Sequence, residues 1–399
     1  MYSSTSRFCI TALSLSFLAS CAPSYQSIHQ KAILVDTHND VLSQVVMEGM
    51  AMDQDLTGKA HTDLARLKKG GMDLQVFAVF CDETYGPGRA FSFANAQIDS
   101  LEAVAKRNPD KLQVVYSPEQ MQAAIKAGRI AALTGVEGGH MLEEKLENVN
   151  HFYQRGVRYL TLTWNNSTTW ASSAADEVKG NGRKGLTDFG RQIVQRMNQV
   201  GMIVDLSHVG EKTFYDVLQT STKPVLVSHS CAAALCPHSR NLTDDQLKAL
   251  AKNGGVVHLN FFSEFLDSTY NQRVKSFIGA HQNDIKALEE KGITGPALRA
   301  ALYRQFPKET ATLNPPISVL IDHIDHVVKV AGIDHVGLGS DYDGISSAPT
   351  GLEDVSTYPL ITKALLERAY KKKDIEKILG GNFLRIWKAN SVGTTVASK

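Results

Sequence analysis

The sequence feature that most constrains the fold is a repeated pairing of a short apolar run with a segment of helical periodicity. Each run is nearly continuous in apolar residues, which is typical of a strand buried on both faces of a parallel sheet. Eight strands are predicted, at residues 33–36, 74–80, 130–136, 158–163, 202–206, 224–227, 255–259 and 335–338. Eight strand–helix repeats in 399 residues predict an α/β fold, a (β/α)8 TIM-like barrel with right-handed crossovers.

A doubly wound sheet is the alternative, and it predicts a glycine-rich phosphate loop after the first strand. The segment Thr37-His38-Asn39-Asp40 at that place contains no glycine. No linker divides the chain after residue 31, so residues 31–399 are predicted to form one barrel domain. The long segment 263–316 is interpreted as an insertion on the barrel rim, which either covers the functional site or forms a contact between subunits.

The N-terminal residues have the pattern of an export signal. A polar start containing Arg7 precedes an apolar run over residues 10–19, which is too short for a bilayer-spanning helix of about 20 residues. The run ends in Leu18-Ala19-Ser20-Cys21, which resembles a bacterial lipobox. We predict a signal peptide at 1–20, a lipid on Cys21, a linker at 21–30, and a location in the bacterial cell envelope, in the periplasm or outer membrane. An ordinary export signal or a chance cysteine is the alternative.

Charge and cysteine content limit the partners and the crosslinks of the chain. The formal net charge is +1 and no long run of one sign occurs, which argues against a nucleic-acid partner. Apart from Cys9 and Cys21, the cysteines are Cys81, Cys231 and Cys236, and an odd number does not form a disulfide framework. We expect three free thiols, with a bridge between Cys231 and Cys236 as the alternative.

Metal-competent side chains occur at the carboxyl ends of several predicted strands. Because these ends are neighbours on one face of a (β/α)8 barrel, side chains far apart in sequence can share one site. The candidates are His38, Asp40, Glu137, His208, His229 and Asp341. Imidazole and carboxylate ligands suit Zn²⁺, and they also accept Mn²⁺ or Co²⁺.

Each candidate taken singly also has a structural interpretation, because a strand-end histidine can be a hydrogen-bonded rim residue and Asp341 can cap a turn. Their joint occurrence favours a metal site. One ion needs about three protein ligands, and the chain offers five or six. Two ions bridged by Glu137, which is followed by Gly138 and Gly139, use this set better. Such a pair deprotonates a bridging water near neutral pH, so the predicted chemistry is hydrolysis.

Longer motifs occur over nearly the whole chain after the export signal. They are DTHND, GVEGGH, YLTLTW, DLSH, SHSCAAALCPHSRNLTDDQL, NGGVV and DHVGLGSDYDG. Together they resemble the membrane (renal) dipeptidases, peptidase family M19 of the amidohydrolase superfamily. The resemblance implies zinc-dependent hydrolysis, by a metal-bridged hydroxide, of dipeptides with a free C-terminal carboxylate, including substrates with D residues. It also implies a homodimer.

The resemblance assigns a role to each site residue. The ligands of two zinc ions are His38, Asp40, Glu137, His208 and His229, with Glu137 as the bridge. Asp341 accepts a proton from the attacking water and passes it to the leaving amine. Arg240 binds the free carboxylate of the substrate, a role that its forked guanidinium suits.

The chain departs from the animal members of this family at the end of the fourth predicted strand. Those members have a histidine there that helps to stabilise the tetrahedral oxyanion, whereas this chain has Trp164-Asn165. An indole offers only a neutral N–H donor, and loss of an oxyanion donor costs about 3 to 4 kcal/mol. Either Asn165 or another group replaces it, or the substrate is another amide, such as an N-acyl amino acid or a β-lactam. Trp164 and Asn165 are therefore candidate substrate-binding residues.

A non-catalytic lipoprotein that binds metal or peptide is the third alternative for the function. The histidines His140, His258, His323 and His326 are predicted to be structural, although His258 alternates in phase with Asn260 and is a candidate to face the barrel interior.

Overall fold

Parallel strands wound into a nearly closed barrel form the centre of the computed structural model, which describes residues 24–181 and 185–392. The strands are β1 (Val35–Asp36), β2 (Leu74–Phe80), β3 (Leu112–Val114), β4 (Ile130–Glu137), β5 (Val157–Thr161), β6 (Ile203–Asp205), β7 (Leu226–Ser230), β8 (Val256–Leu259) and β9 (Val336–Leu338). The barrel order is β1-β2-β4-β5-β6-β7-β8-β9, and each pair is parallel. The predicted (β/α)8 fold class is confirmed, and all eight predicted strands are present.

Strand β3 was not among the predicted strands. It pairs with β4 outside the barrel path. Only the first of its three residues is buried, so its sequence lacks the continuous apolar run that marks the barrel strands.

Helices surround the barrel. The α-helices are α1 (Tyr25–Lys31), α2 (Leu64–Lys69), α3 (Ala90–Arg107), α4 (Pro118–Lys126), α5 (Glu147–Gln154), α6 (Ala174–Val178), α7 (Asp188–Val200), α8 (Glu211–Thr220), α9 (Asp244–Asn253), α10 (Ser263–Leu266), α11 (Tyr270–Ala280), α12 (Gln282–Glu289), α13 (Gly295–Gln305), α14 (Pro307–Thr310), α15 (Ile317–Ala331), α16 (Pro359–Glu367), α17 (Lys372–Glu376) and α18 (Asn382–Asn390). Short 3₁₀ helices are at Glu83–Tyr85, Gly139–Leu142, Ile333–His335 and Val355–Thr357, and π-helical turns are at Leu42–Val46 and Lys377–Gly381.

Helix α1 corrects the prediction of a linker over residues 21–30. Its residues Ile28 and His29 are buried, and the His29 ring lies 2.8 Å from both Thr362 Oγ1 and the carbonyl oxygen of Gly70. The barrel domain therefore includes α1. The predicted signal peptide and Cys21 lie outside the described residues. No helix in the described ranges combines the length and apolar character needed to cross a bilayer.

The ends of the sheet are joined by hydrogen bonds between the segments that follow β1 and β9. The Thr37 N–H donates to the carbonyl of Leu338 at 3.1 Å. Asp36 is fully buried and accepts the hydroxyl protons of Ser340 and Tyr358, each at 2.6 Å. This closure brings the polar residues after the first and last barrel strands to the same place.

The core inside the barrel fills its amino-terminal end. Residues at the beginning of the strands, such as Val35, Leu74 and Val256, pack with Phe383 and Trp387 of α18. Helix α18 covers this end, so the carboxyl ends of the strands form the open face, where barrel enzymes carry their sites.

The segment 263–316 forms helices α10 to α14 between β8 and α15, as predicted for a rim insertion. It has a small apolar core of its own, formed by Phe277, Leu288, Leu302 and Leu313. Phe265 of α10 lines the cavity described below, so the beginning of the insertion reaches the open face.

His323 of α15 is structural, as predicted. Its Nδ1 accepts the N–H of Ala232 at 3.1 Å, and its Nε2 donates to the carbonyl of Leu266 at 2.9 Å. Both contacts need the neutral imidazole, and burial lowers the pKa of His323 to about 4. His326 lies one turn away, with its Nε2 atom 2.6 Å from Asp244 Oδ1.

His323 should make the protein less stable in acid. Its pKa is about 6.5 when unfolded, so the unfolded chain takes up a proton between pH 6.5 and 4 that the folded chain does not. The free energy of unfolding should fall by up to about 3 kcal/mol over this range from His323 alone. His323→Gln does not titrate and keeps an N–H donor for the carbonyl of Leu266, so urea titrations should show wild type losing stability relative to the variant as pH falls. Parallel curves would contradict this.

Candidate active site

Three imidazoles from three strand ends meet at Glu137, the last residue of β4. His38 follows β1, His208 follows β6, and His229 lies within β7, two residues beyond the predicted end of that strand. The Nε2 atoms of His208 and His229 lie 2.8 and 3.4 Å from Glu137 Oε1, whereas His38 Nε2 lies 3.3 Å from Oε2. The two oxygens of Glu137 therefore face different imidazoles.

Two aspartates lie on the Oε2 side of Glu137. Asp40 Oδ2 is 3.4 Å from His38 Nε2, and one ligand atom from each of His38, Asp40 and Asp341 lies within 4.8 Å of the others. The same limit holds for His38, Glu137 and His229. The structure thus brings together the six metal-competent residues that the sequence indicated.

A hydrogen bond keeps the proton of His38 on the side away from Glu137. Tyr159 of β5 donates its hydroxyl proton to the carbonyl of Thr37 at 2.9 Å, so its oxygen accepts from His38 Nδ1 at 2.9 Å. His38 Nε2 therefore carries a lone pair, and it is buried without a hydrogen-bond partner. The Tyr159 ring has room because β4 has Gly135 beside it, where a Cβ would overlap the ring.

The other two imidazoles are oriented in the same sense. Ser228 donates to Asp205 Oδ2 at 2.6 Å, so its oxygen accepts from His229 Nδ1 at 2.8 Å. His208 Nδ1 lies 3.2 Å from Asn165 Oδ1, an oxygen that can only accept. All three histidines direct a proton-free Nε2 atom toward the same carboxylate.

This arrangement of acceptors favours a bound cation. The Nε2 atoms of His208 and His229 are 3.0 Å apart, so two lone pairs face each other beside the Glu137 carboxylate. A buried acceptor left without a donor costs about 1–3 kcal/mol. Divalent cations satisfy all of these lone pairs, and neutral imidazoles with carboxylates are ligands that zinc accepts. The residues therefore fit a metal centre.

The pKa shifts of His208 and His229 agree with this fit. Burial, together with the charge of Arg240, lowers the pKa of His208 to about 4, and burial lowers the pKa of His229 well below its ordinary value. Both are therefore neutral at pH 7, the form that binds metal. Burial also lowers the pKa of His38, but its neighbours, Glu137 among them, outweigh this and raise it well above the ordinary value. The Oε2 side of the site thus favours positive charge, which either a proton on His38 Nε2 or a cation bound in its place would supply.

Asp341 lies beside the cluster in a left-handed backbone conformation. Its φ is 64°, and that of His208 is 67°, a region that costs a non-glycine residue about 1–2 kcal/mol. Asn260 donates to Asp341 Oδ2 at 2.8 Å. Burial, opposed by His38 and assisted by Asp40 and another carboxylate, raises the pKa of Asp341 well above its ordinary value. Asp341 is therefore suited to hold a proton next to the cluster.

A cavity of about 430 Å³ opens over the cluster and is partly enclosed by a close backbone approach at Gly344. A Cβ at Gly344 would overlap Asp40 and Asp341. The predicted metal and proton-transfer residues that line the cavity are Asp40, Glu137, His208 and Asp341. The predicted substrate-binding residues Arg240, Trp164 and Asn165 line it as well.

Arg240 is a buried cation in the wall of this cavity. It is 7% exposed, and within residues 24–181 and 185–392 its guanidinium makes a single hydrogen bond, from Nη2 to the carbonyl of His229 at 3.3 Å. Its Nε atom is buried without a partner, and among the described residues no carboxylate lies within ion-pair distance of it. Glu137 and Asp341 act on its charge only from beyond ion-pair distance, so the cavity is suited to an anionic group of a ligand that contacts the guanidinium directly.

Several residues of the site were missed by sequence analysis. Tyr159 is a mid-strand aromatic that has the pattern of a core residue, and nothing local marks its hydroxyl. Ser228 directly precedes the proposed ligand His229, and this adjacency could have indicated its role. Asn260 lies two residues after His258, so strand alternation could have placed it on the inner face of the barrel.

His258, His140 and the three described cysteines have structural contacts. His258 packs edge-on against Phe383 inside the barrel and donates from Nδ1 to Leu338 O at 3.0 Å, away from the cluster. His140 Nε2 lies 3.0 Å from the carbonyl oxygen of Cys81 and ties the loop after β4 to the end of β2. Cys81, Cys231 and Cys236 are free and buried, as expected.

Removing the Tyr159 hydroxyl should weaken metal binding. Tyr159→Phe leaves the His38 proton without its acceptor, and loss of such an orienting partner typically lowers metal affinity about 10- to 100-fold. Ser228→Ala should act similarly through His229. Competition with a chromophoric chelator measures the affinity for Zn²⁺, and Tyr116→Phe, at an exposed position, is the control. Wild-type affinity in both site variants would contradict the assigned orientation.

Comparison with known proteins agrees with this geometry. The family model described as membrane dipeptidase (peptidase family M19) matches residues 23–398. An uncharacterized dipeptidase of Schizosaccharomyces pombe is 33% identical over 395 residues, which cover 94% of this chain and 84% of that protein.

Solved structures show the same fold. The probable dipeptidase PvdM of Pseudomonas aeruginosa is 25% identical with a TM-score of 0.76, and the match covers 92% of this chain and 97% of that one. A metallopeptidase of Rhodobacter sphaeroides, liganded with a phosphinate mimic of the dipeptide L-Ala-D-Ala, is 24% identical with a TM-score of 0.72, covering 90% and 99%. From the family match and these relatives, the chain belongs to the membrane dipeptidase family, the metallopeptidases of family M19.

Proposed function

We propose that this metallo-dipeptidase is a dinuclear zinc enzyme that hydrolyses dipeptides with a free C-terminal carboxylate, including dipeptides with a D residue. One observation carries the proposal: the buried, unpaired guanidinium of Arg240 opens into the same cavity as the imidazole–carboxylate cluster. A substrate carboxylate bound at Arg240 sets the distance from the chain end to the reacting amide. The cavity of about 430 Å³ has the size of a small-molecule site, which favours dipeptides over longer peptides.

In this proposal the two oxygens of Glu137 divide the ligands between two ions. His38 and Asp40 would hold one Zn²⁺ on the Oε2 side, and His208 and His229 would hold the other on the Oε1 side. Zinc ions bound there would lower the pKa of a water molecule and polarise the scissile carbonyl. Mn²⁺ or Co²⁺ fits the same donor set.

Proton transfer is assigned to Asp341. The hydrogen bond from Asn260 holds Oδ2, which leaves Oδ1 to accept a proton from the attacking water and return it to the leaving amine. The Asp341 carboxylate lines the cavity together with Glu137, which places it beside the proposed metal site.

The proposal extends to location and assembly. The apolar run before Cys21 supports export and a lipid anchor in the cell envelope, and those residues lie outside the described part of the chain. A homodimer is proposed from the resemblance to the family. The proposed partner is the small dipeptide substrate. The formal net charge of +1 argues against a nucleic-acid partner.

The test is a panel of dipeptides with wild type and Arg240→Met. Wild type should cleave L-Ala-L-Ala and L-Ala-D-Ala, lose this activity with a chelator and regain it with Zn²⁺. Loss of a charge-assisted hydrogen bond is worth about 1.5–3 kcal/mol, so Arg240→Met should raise KM about 10- to 100-fold. Arg155→Met is the matched control, because Arg155 pairs with Asp99 away from the cavity.

Two outcomes would contradict the proposal. Cleavage of L-alanyl-L-alanine amide as fast as the free dipeptide would show that the carboxylate is not recognised. Turnover of N-acetyl amino acids or a β-lactam, without turnover of any dipeptide, would favour the alternative substrates that Trp164 suggested.

A further inference from the structure

The cavity over the cluster has two apolar walls. Phe80 and Trp164 form one, which we call the Trp164 wall, with ring centroids 5.0 Å apart. Phe262, Phe265 and Ile345 form the other, which we call the Phe265 wall, where the two phenyl rings are 5.1 Å apart. The four aromatic side chains are half-buried, and the surface they keep accessible faces a cavity that also contains the charged groups.

The two walls lie at different parts of the ring of strands, with Trp164 and Ile345 on opposite sides of the barrel mouth. Trp164 follows β5 and Ile345 follows β9, and these strands are four positions apart in a ring of eight. Phe80 ends β2, and Phe262 and Phe265 follow β8. A ligand that lies over Glu137 therefore has an apolar surface on each side.

The position of Arg240 distinguishes the walls. Its guanidinium carbon lies 5.5 Å from the centre of the Phe265 ring, and the His238 ring is 4.6 Å from the same ring. The Trp164 ring instead lies 6.4 Å from that of His208, a proposed metal ligand. A dipeptide with its carboxylate at Arg240 therefore has its C-terminal side chain beside the Phe265 wall. Its N-terminal side chain lies toward the Trp164 wall.

We infer that the Trp164 wall determines substrate specificity by selecting dipeptides with a large apolar or aromatic N-terminal side chain, while the Phe265 wall contacts the C-terminal side chain. This inference rests on the proposed function and names the substrate class of the same site. An indole face packed on a phenyl ring provides apolar contact area and one weak donor, so it favours an aromatic or aliphatic side chain over a polar one. Burial of such a side chain is worth about one to two orders of magnitude in kcat/KM.

The test compares Phe-Ala, Ala-Phe and Ala-Ala as substrates, all in the L form. Wild type should prefer Phe-Ala over Ala-Ala by about tenfold or more. Trp164→Ala should reduce kcat/KM for Phe-Ala at least about tenfold, mainly through KM, and change that for Ala-Ala much less. Phe265→Ala should instead reduce kcat/KM for Ala-Phe relative to kcat/KM for Ala-Ala. Tyr116→Ala, an aromatic residue outside the cavity, should leave both preferences unchanged.

Conservative variants separate specificity from folding. Trp164→Phe keeps an aromatic surface and should keep the order of substrates, whereas Trp164→Gln, polar and of intermediate size, should lose the Phe-Ala preference. Circular dichroism checks that each variant is folded. If wild type cleaves dipeptides but the ratio of Phe-Ala to Ala-Ala is the same in Trp164→Gln and wild type, the inference is wrong. If wild type cleaves no dipeptide, the proposed function itself fails.

Discussion

The site depends on where three imidazole protons lie. Oxygens of Tyr159, Ser228 and Asn165 hold these protons on Nδ1, so three Nε2 lone pairs converge on the carboxylate of Glu137. In water such lone pairs would be hydrated, but here the groups are buried. A cation between them would satisfy these lone pairs, and the proposed chemistry depends on it.

The barrel supports this crowded arrangement with constraints that carry a cost of their own. His208 and Asp341 are held in left-handed conformations, and the missing side chains of Gly135 and Gly344 leave the space that Tyr159 and the aspartates occupy. A strained backbone conformation of this kind persists only when the surrounding packing and hydrogen bonds hold the residue in place. The packed barrel interior and the hydrogen bonds that close the sheet at Asp36 provide that surrounding structure.

The parts of the molecule that the sequence predicts are those with a local or periodic signal. Continuous apolar runs located all eight barrel strands, and metal-competent residues just beyond those runs located the cluster, since parallel strands end on one face. Strand β3 lacks such a run, and α1 was too short to distinguish from a linker. The orienting roles of Tyr159 and Asn165 depend on which residues meet across the barrel, information that no single segment contains.

The central claim is that Glu137 joins two cations through its separate oxygens. The most direct measurement is a crystal grown with Zn²⁺ and examined by anomalous diffraction on both sides of the zinc absorption edge. The account predicts two peaks about 3.5–4 Å apart, one beside His38 and Asp40 and the other beside His208 and His229, with Glu137 between them. A single peak, or two peaks that do not share Glu137, would contradict it.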